Sequence, residues 1–419
     1  MSIQLRPGYK QSEVGVIPTE WSVHQLDSLG AGPVPPIKAG PFGSSLTKDT
    51  YVASGFKVYG QEQVIRGDYL YGDYFISLKK YRELESCAVH PGDVLLSLVG
   101  TAGKLLVVPN DAPAGVINPR LIRFSFDKTR VSPLFFKDLF EAAQVQSLLA
   151  RYAQGGTMGV LNASMLRIVN IPLPPLAEQN VIADALSDTE SLIESLEQLV
   201  AKKRHLKQGA MQELLTGKKR LPGFGSEWEV KRLGDVAQLK NGYAFQSSTY
   251  TGLGRYKVVT IANVQDGYMT VAECNKIAQL PPDIQSHQCL CRNDILISMT
   301  GNVGRVCRVN DDNCLLNQRV GKLLPNGIDS GFLYATLCQS KFLVAMGLKA
   351  KGGAQGNLSK PDITEYQVQL PSLPEQTAIA TVLFDMDAEI AELETQLTKT
   401  RVLKQGMMHK LLTGEIRLL

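Results

Sequence analysis

Two loops carry residue types suited to gripping a phosphate. Gly40-Pro-Phe-Gly-Ser-Ser45 and Asn241-Gly-Tyr-Ala-Phe-Gln-Ser-Ser248 align on Phe42 with Phe245 and on Ser44 with Ser247. Such loops offer backbone N–H and side-chain O–H groups to an anion. The alternative is a pair of tight turns that need positive φ. The same choice attends Gly155-Gly-Thr157, preceded by Arg151, and Gly352-Gly-Ala354, preceded by Lys349 and Lys351.

Polar and basic residues in predicted loops extend these candidates. Arg and Lys suit phosphates, while Arg, Lys, Asn and Gln suit base edges. In the first half the candidate DNA contacts are Phe42, Gly43, Ser44, Arg66, Lys79, Lys80, Arg82, Arg120 and Thr157, with Arg123 beside them. In the second half they are Lys240, Asn241, Tyr243, Gln246, Asn263, Arg305, Gln318, Arg319 and Lys351, with Arg292 and Asn317 nearby. A solvated surface is the alternative reading of each residue. The net charge is only +4, so a nucleic acid would be held by local patches.

Catalytic motifs are sparse. Gly100-Thr-Ala-Gly-Lys104 is too short for a phosphate-binding P-loop. Asn118-Pro-Arg120 lacks the second proline and the aromatic of an adenine methyltransferase site. His287, Cys289 and Cys291 have no second ligand pair at zinc spacing, so no metal is expected. The seven cysteines are odd in number and scattered, which fits a reducing, cytoplasmic setting. No apolar run is long enough for a bilayer.

The elements that position these loops are duplicated. Leu173–Leu221 aligns without a gap on Leu370–Leu418, with 25 of 49 positions identical. Weaker matches extend outward: Asp93–Gly100 with Asp294–Gly301, and Glu20-Trp-Ser-Val with Glu227-Trp-Glu-Val. Val16–Trp21 resembles the end of the linker Leu221–Trp228, so the chain reads as a ring cut at one linker, with its ends expected close together.

Within the repeat an a/d heptad stripe runs through Ile182, Leu186, Thr189, Ile193, Leu196, Val200 and Lys203. Ile379, Leu383, Met386, Ile390, Leu393, Leu397 and Thr400 repeat it. This predicts two helices of roughly 40 residues and 60 Å, packed antiparallel through those positions. Each helix covering only its own domain is the alternative. Glu178 and Glu375 fall in the first turns, where they complement the dipole. Gly217 and Gly414 stand where caps belong. Gly209 and Gly406 suggest close backbone approach or a bend.

The predicted fold class is α/β (α+β), with two pseudo-twofold-related globular domains separated by two long antiparallel coiled-coil helices. The boundaries are 1–173, 174–217, 218–369 and 370–419. Asp93–Leu98 with Lys104–Val108, and Asp294–Met299 with Arg305–Val309, read as hairpins. Ser132 as N-cap and Pro133 at N1 open a helix to about Ala153, and Ser330–Leu348 is its counterpart.

Ile17-Pro-x-Glu-Trp21, Gly155-Gly-Thr-x-Gly-x-Leu161 and Ile171-Pro-Leu-Pro-Pro-Leu-Ala-Glu-Gln179 together resemble the specificity (S) subunit of type I restriction–modification systems. Leu370-Pro-Ser-Leu-Pro-Glu-Gln376 and the two Leu-Leu-Thr-Gly helix ends complete the pattern. The resemblance implies a non-catalytic chain whose two target-recognition domains read the halves of a bipartite, asymmetric site in double-stranded DNA. The helices would set the spacer and dock two modification (M) subunits. S-adenosylmethionine, ATP and Mg would belong to those subunits and to restriction (R) subunits, with no cofactor here. A coiled-coil scaffold without DNA reading explains the helices but not two divergent domains. A fused methyltransferase would need motifs that the chain lacks.

Overall fold

The computed structural model describes residues 6–32, 35–98, 103–154, 162–351 and 356–418. They form two compact units, Met1–Leu196 with Gln396–Leu419, and Glu197–Thr395. Each long helix contributes a segment to both.

In the first unit Leu105–Val107, Val94–Ser97, Leu121–Phe124 and Ile37–Ala39 form an antiparallel sheet in that order. A second, mixed sheet runs Tyr51–Val52, Phe75–Ile76, Phe56–Tyr59, Gly115–Ile117, Ala88–Val89, with Phe56–Tyr59 parallel to Gly115–Ile117. The second unit repeats the plan. Ala237–Asn241, Val320–Pro325, Ile295–Ser298 and Val306–Arg308 form the antiparallel sheet. Asn275–Ile277, Tyr256–Val259, Cys314–Leu316 and Cys289–Leu290 form the mixed one, in which Tyr256–Val259 runs parallel to Cys314–Leu316. Every residue of Val94–Ser97 and Ile295–Ser298 is buried. These strands are covered on both faces, which is why all but their closing serines, Ser97 and Ser298, are apolar.

The predicted hairpins form within a residue of their expected limits. The predicted helix from Pro133 differs: it is two helices, Pro133–Glu141 and Ala143–Gln154, broken at Ala142, whose ψ of 141° is extended. Phe135, Phe136, Leu139 and Phe140 before the break and Val145 and Leu149 after it all enter the core, so the bend lets both halves bury apolar faces. Ser132 makes no side-chain cap; its N–H instead meets the Gln179 side chain at 2.8 Å. Ser330–Leu348 is likewise split, into Ser330–Leu337 and Ser340–Lys351, and its N-cap is Asp329, which accepts from the Phe332 N–H at 2.9 Å.

Leu176–Leu214 and Leu373–Leu412 are continuous helices of 39 and 40 residues. Of the heptad residues, Ile182, Leu186, Ile193, Leu196, Val200, Ile379, Leu383, Ile390 and Leu397 are buried, and Leu393 is half-buried. Ile182 and Leu186 share the first unit's core with Leu411 and Leu412, and Ile379 and Leu383 share the second's with Leu214 and Leu215. The two early heptad positions thus serve a domain core as well as a helix pair. In the first unit the helices run antiparallel, with Lys404 on Glu190 and Thr189 Oγ1 3.7 Å from Met407 Sδ. In the second, Lys203 meets Glu389 at 2.5 Å, and Arg204 and Lys207 pair with Glu394 and Asp387.

The helix starts are anchored by side chains that local sequence does not reveal. Glu178 and Glu375 are fully buried rather than merely facing a dipole. Arg417 grips Glu178, which also accepts from the Trp21 indole N–H at 3.1 Å, and Arg220 grips Glu375 through two bonds of 2.6 Å. The adjacent Gln179 and Gln376 accept the backbone N–H groups of Ser132 and Asp329. At the helix ends Gly217 and Gly414 take positive φ of 68° and 70°, as left-handed caps require. The ends of the first unit do lie together: Tyr9 Oη donates to the Gly414 carbonyl at 2.8 Å. At Gly209 and Gly406 the expected close backbone approach does not occur. A Cβ on either would meet nothing within 4 Å, so no backbone approaches there.

Among the described residues no single helix is long and apolar enough to cross a membrane. The bent pair Ser330–Leu337 and Ser340–Ala350 has the composition for it, and its Phe332, Leu333, Phe342 and Met346 are buried in the second unit's core.

Candidate nucleic-acid interface

Each unit builds the same joint between two loops. In the first, the strand Gly115–Ile117 ends at Asn118, whose N–H donates to the Tyr59 carbonyl at 2.8 Å. Its side-chain Oδ1 accepts the Arg120 N–H at 2.9 Å and its carbonyl accepts the Leu121 N–H at 3.2 Å, closing a turn around Pro119-Arg120. Asn favours such turns because its short amide caps the backbone two residues on. Gly40, at the end of Ile37–Ala39, passes directly against this turn. A Cβ on Gly40 would lie 1.9 Å from the Asn118 carbonyl oxygen, so only glycine fits. Beyond it the chain turns through the 3-10 segment Gly43–Ser45, leaving Phe42, Gly43 and Ser44 exposed beside exposed Arg120.

In the second unit the Asn317 N–H donates to the Val259 carbonyl at 3.1 Å, and its Oδ1 accepts the Arg319 N–H at 3.4 Å. A Cβ on Gly242 would lie 2.1 Å from the Asn317 carbonyl oxygen. The Tyr243 N–H reaches the Leu316 carbonyl at 2.8 Å, and the Gln318 N–H reaches the Tyr243 carbonyl at 2.9 Å. Asn241, Gln246, Gln318 and Arg319 are exposed around this joint, and Lys240 is half-buried beside it. Tyr243 donates to Asp283 at 2.8 Å, a bond that raises its phenol above the ordinary range.

Beyond the two joints the 3-10 turns are displaced by one residue from the alignment of Phe42 with Phe245. The 3-10 turns are Gly43–Ser45 and Ser247–Thr249, closed by Ser45 N–H to Phe42 and Thr249 N–H to Gln246. Phe42 and Gln246 each accept the N–H that closes their turn, while Phe245 packs on Tyr243 with centroids 4.9 Å apart. Sequence reasoning also set Asn118-Pro-Arg120 aside as an incomplete catalytic motif. The usable signal was its recurrence as Asn317-Gln-Arg319 after a parallel strand.

The other candidates divide. Arg66 ends the helix Gln61–Arg66 with its guanidinium 4.0 Å from the Tyr71 ring centroid, and Lys79, Lys80 and Arg82 lie on the helix Leu78–Glu83, not in loops. Lys80 pairs with Glu83 at 2.9 Å. Arg123 is buried in a strand, bonded to the Ala88 carbonyl and 3.8 Å from Asp93. Asn263 is buried and holds its own loop through Thr260 and the Thr270 carbonyl. Arg305 is half-buried and donates to Gln265 at 2.6 Å, and exposed Arg292 is paired twice with Asp312. Asn263 and Arg123 are thus structural; burial was not visible from residue type. Thr157 and the Gly155 and Gly352 loops lie outside the described residues, and Lys351 ends the helix Ser340–Lys351. His287 Nε2 lies 3.1 Å from the Asn241 carbonyl, and among the described residues no cluster of three or more His, Cys, Asp or Glu could hold a metal.

Comparison with known proteins agrees with this architecture. The chain is 24% identical over 431 residues to the putative type I restriction enzyme MjaX specificity subunit of Methanocaldococcus jannaschii, covering 98% of this chain and 96% of the relative. It is 25% identical over 351 residues to that organism's MjaVIII specificity subunit, covering 78% and 80%. The crystal structure of the type I restriction–modification S subunit from M. genitalium shares the fold, with a TM-score of 0.57 at 16% identity and 98% of each chain covered. The model of the type I restriction modification DNA specificity domain matches residues 40–202 and 225–400, one segment for each joint, and the chain belongs to that family.

Proposed function

We propose that each unit reads one half of a bipartite, asymmetric site in double-stranded DNA, using the paired loops at its Asn118 or Asn317 turn. The observation that carries this is the repetition of a rigid joint with different side chains displayed. The first unit presents Phe42, Pro119 and Arg120; the second presents Gln246, Gln318 and Arg319. Gln and Arg supply the paired donors and acceptors that distinguish adenine and guanine in the major groove. Identical joints with different tips suit two different half-sites.

The chain itself acts without catalysis, as the specificity subunit of a type I system. The long helices set the spacer between half-sites and dock two modification subunits, which hold S-adenosylmethionine and methylate adenine. Restriction subunits add chemistry that needs ATP and Mg. Continuous helices of 39 and 40 residues, anchored at their starts by buried Glu and Gln, suit a fixed distance.

Methylation-sensitive sequencing of cells carrying the complex tests the reading. The expected result is one split, asymmetric motif, and Gln318→Ala should relax one half of it alone. Equal binding of all duplexes by the complex at moderate salt would overturn the proposal.

A further inference from the structure

Phe42 is 88% exposed, an unusual setting for so large an apolar side chain. The loop is not free to fold it inward. Gly40 lies hard against the Asn118 carbonyl, Pro41 fixes its own φ, and the Ser45 N–H holds the Phe42 carbonyl at 2.8 Å. The ring is thus held outward on the joint that also presents Arg120. The residue that closes the equivalent turn of the second unit is Gln246, a side chain that hydrogen-bonds rather than stacks.

Resting on the half-site reading above, we propose that Phe42 is a wedge that enters a base step of the first unit's half-site, unstacking it while Arg120 reads the edge of an adjacent base. Proteins that kink DNA insert apolar side chains in this way. The recognised half would then be selected partly by how easily one step opens, with pyrimidine–purine steps favoured. Gln246 would read a base edge instead. Half-site choice by the first unit is then partly a matter of deformability, a property invisible in a list of polar contacts.

The experiment uses the full chain with its modification subunits on a duplex carrying the motif found by sequencing. 2-Aminopurine is placed in turn at positions other than the methylated base, so that extrusion of that base does not contribute. The half relaxed by Gln318→Ala belongs to the second unit, and the other half to the first. In the first unit's half, one position should show a several-fold fluorescence rise on saturation with the wild-type complex. Phe42→Ala should abolish the rise at saturating protein, Phe42→Leu should keep much of it, and both variants should melt as the wild type does because the ring is exposed. A rise that persists in Phe42→Ala, or no rise at any position of that half in the wild type, overturns the wedge while leaving half-site reading intact. Failure of the wild-type complex to prefer its motif over a scrambled duplex is a different result, and overturns both.

Discussion

Arg417 closes on the buried carboxylate of Glu178 across 239 residues of sequence, its second nitrogen donating at 2.8 Å. The same carboxylate takes the Trp21 indole N–H, and Arg417 also reaches Glu20 at 2.7 Å. These bonds hold the guanidinium charged beyond its ordinary range. Arg417→Ala would leave a buried carboxylate with one donor. The expected loss in urea denaturation is about 3 kcal/mol, the low end for breaking a buried pair because the guanidinium is 26% exposed. Adding Glu178→Gln should recover part of it; strictly additive losses would show that the pair is not coupled.

Asp138 gives the first unit a pH dependence. Burial pushes its carboxyl up to about 6, against the pull of Lys137 and Lys404. A raised carboxyl favours the protonated folded state. That stability is complete below the ordinary value of 3.8 and is lost as pH rises through about 6. The interval corresponds to about 3 kcal/mol at most. Asp138→Asn should therefore stabilise the protein at pH 8 relative to wild type and leave it little changed at pH 4. Equal effects at both pH values would contradict the assignment.

Glycines in the helices and at the joints should respond oppositely. Gly209 and Gly406 face open space, so Gly209→Ala and Gly406→Ala should each add about 1 kcal/mol, read as higher melting temperatures. Gly40→Ala and Gly242→Ala place a methyl on a carbonyl oxygen and should abolish motif-specific DNA binding. Normal binding by Gly242→Ala would show that the joint can shift without cost to recognition.

How much of this was legible in the sequence depended on distance along the chain. The heptad residues repeat locally, so Ile182, Leu186, Ile390 and Leu397 were readable as buried. Glu178 looked like a partner for its own helix because Arg417 lies 239 residues away. Asn263 and Asn317 are both buried Asn in loops, yet only the Asn317 turn is threaded by a glycine from another strand. Residue type alone could not separate them. The break at Ala142 was hidden because apolar residues continue through it.

Arg120→Ala and Arg319→Ala should each relax one base preference in their own unit's half-site, by about 1–3 kcal/mol of discrimination. Binding assays against single-base variants of the motif measure this. A uniform loss over all sequences, with the salt slope reduced by about 1, would make them phosphate contacts instead.

Removing one heptad from both helices, Glu190–Leu196 and Asp387–Leu393, shortens each by roughly 10 Å. The preferred spacer should contract by about three base pairs. Methylation mapping reads the change directly, and an unaltered spacer would restrict the helices to holding partners.

The division into a contiguous and a split unit also orders synthesis. Glu197–Thr395 is one uninterrupted stretch, so its core can close before Gln396–Leu419 has been made. The first unit cannot finish then, because Leu411 and Leu412 belong to its core and Arg417 to its anchor. For that interval Ile182 and Leu186 lack Leu411 and Leu412 as core partners.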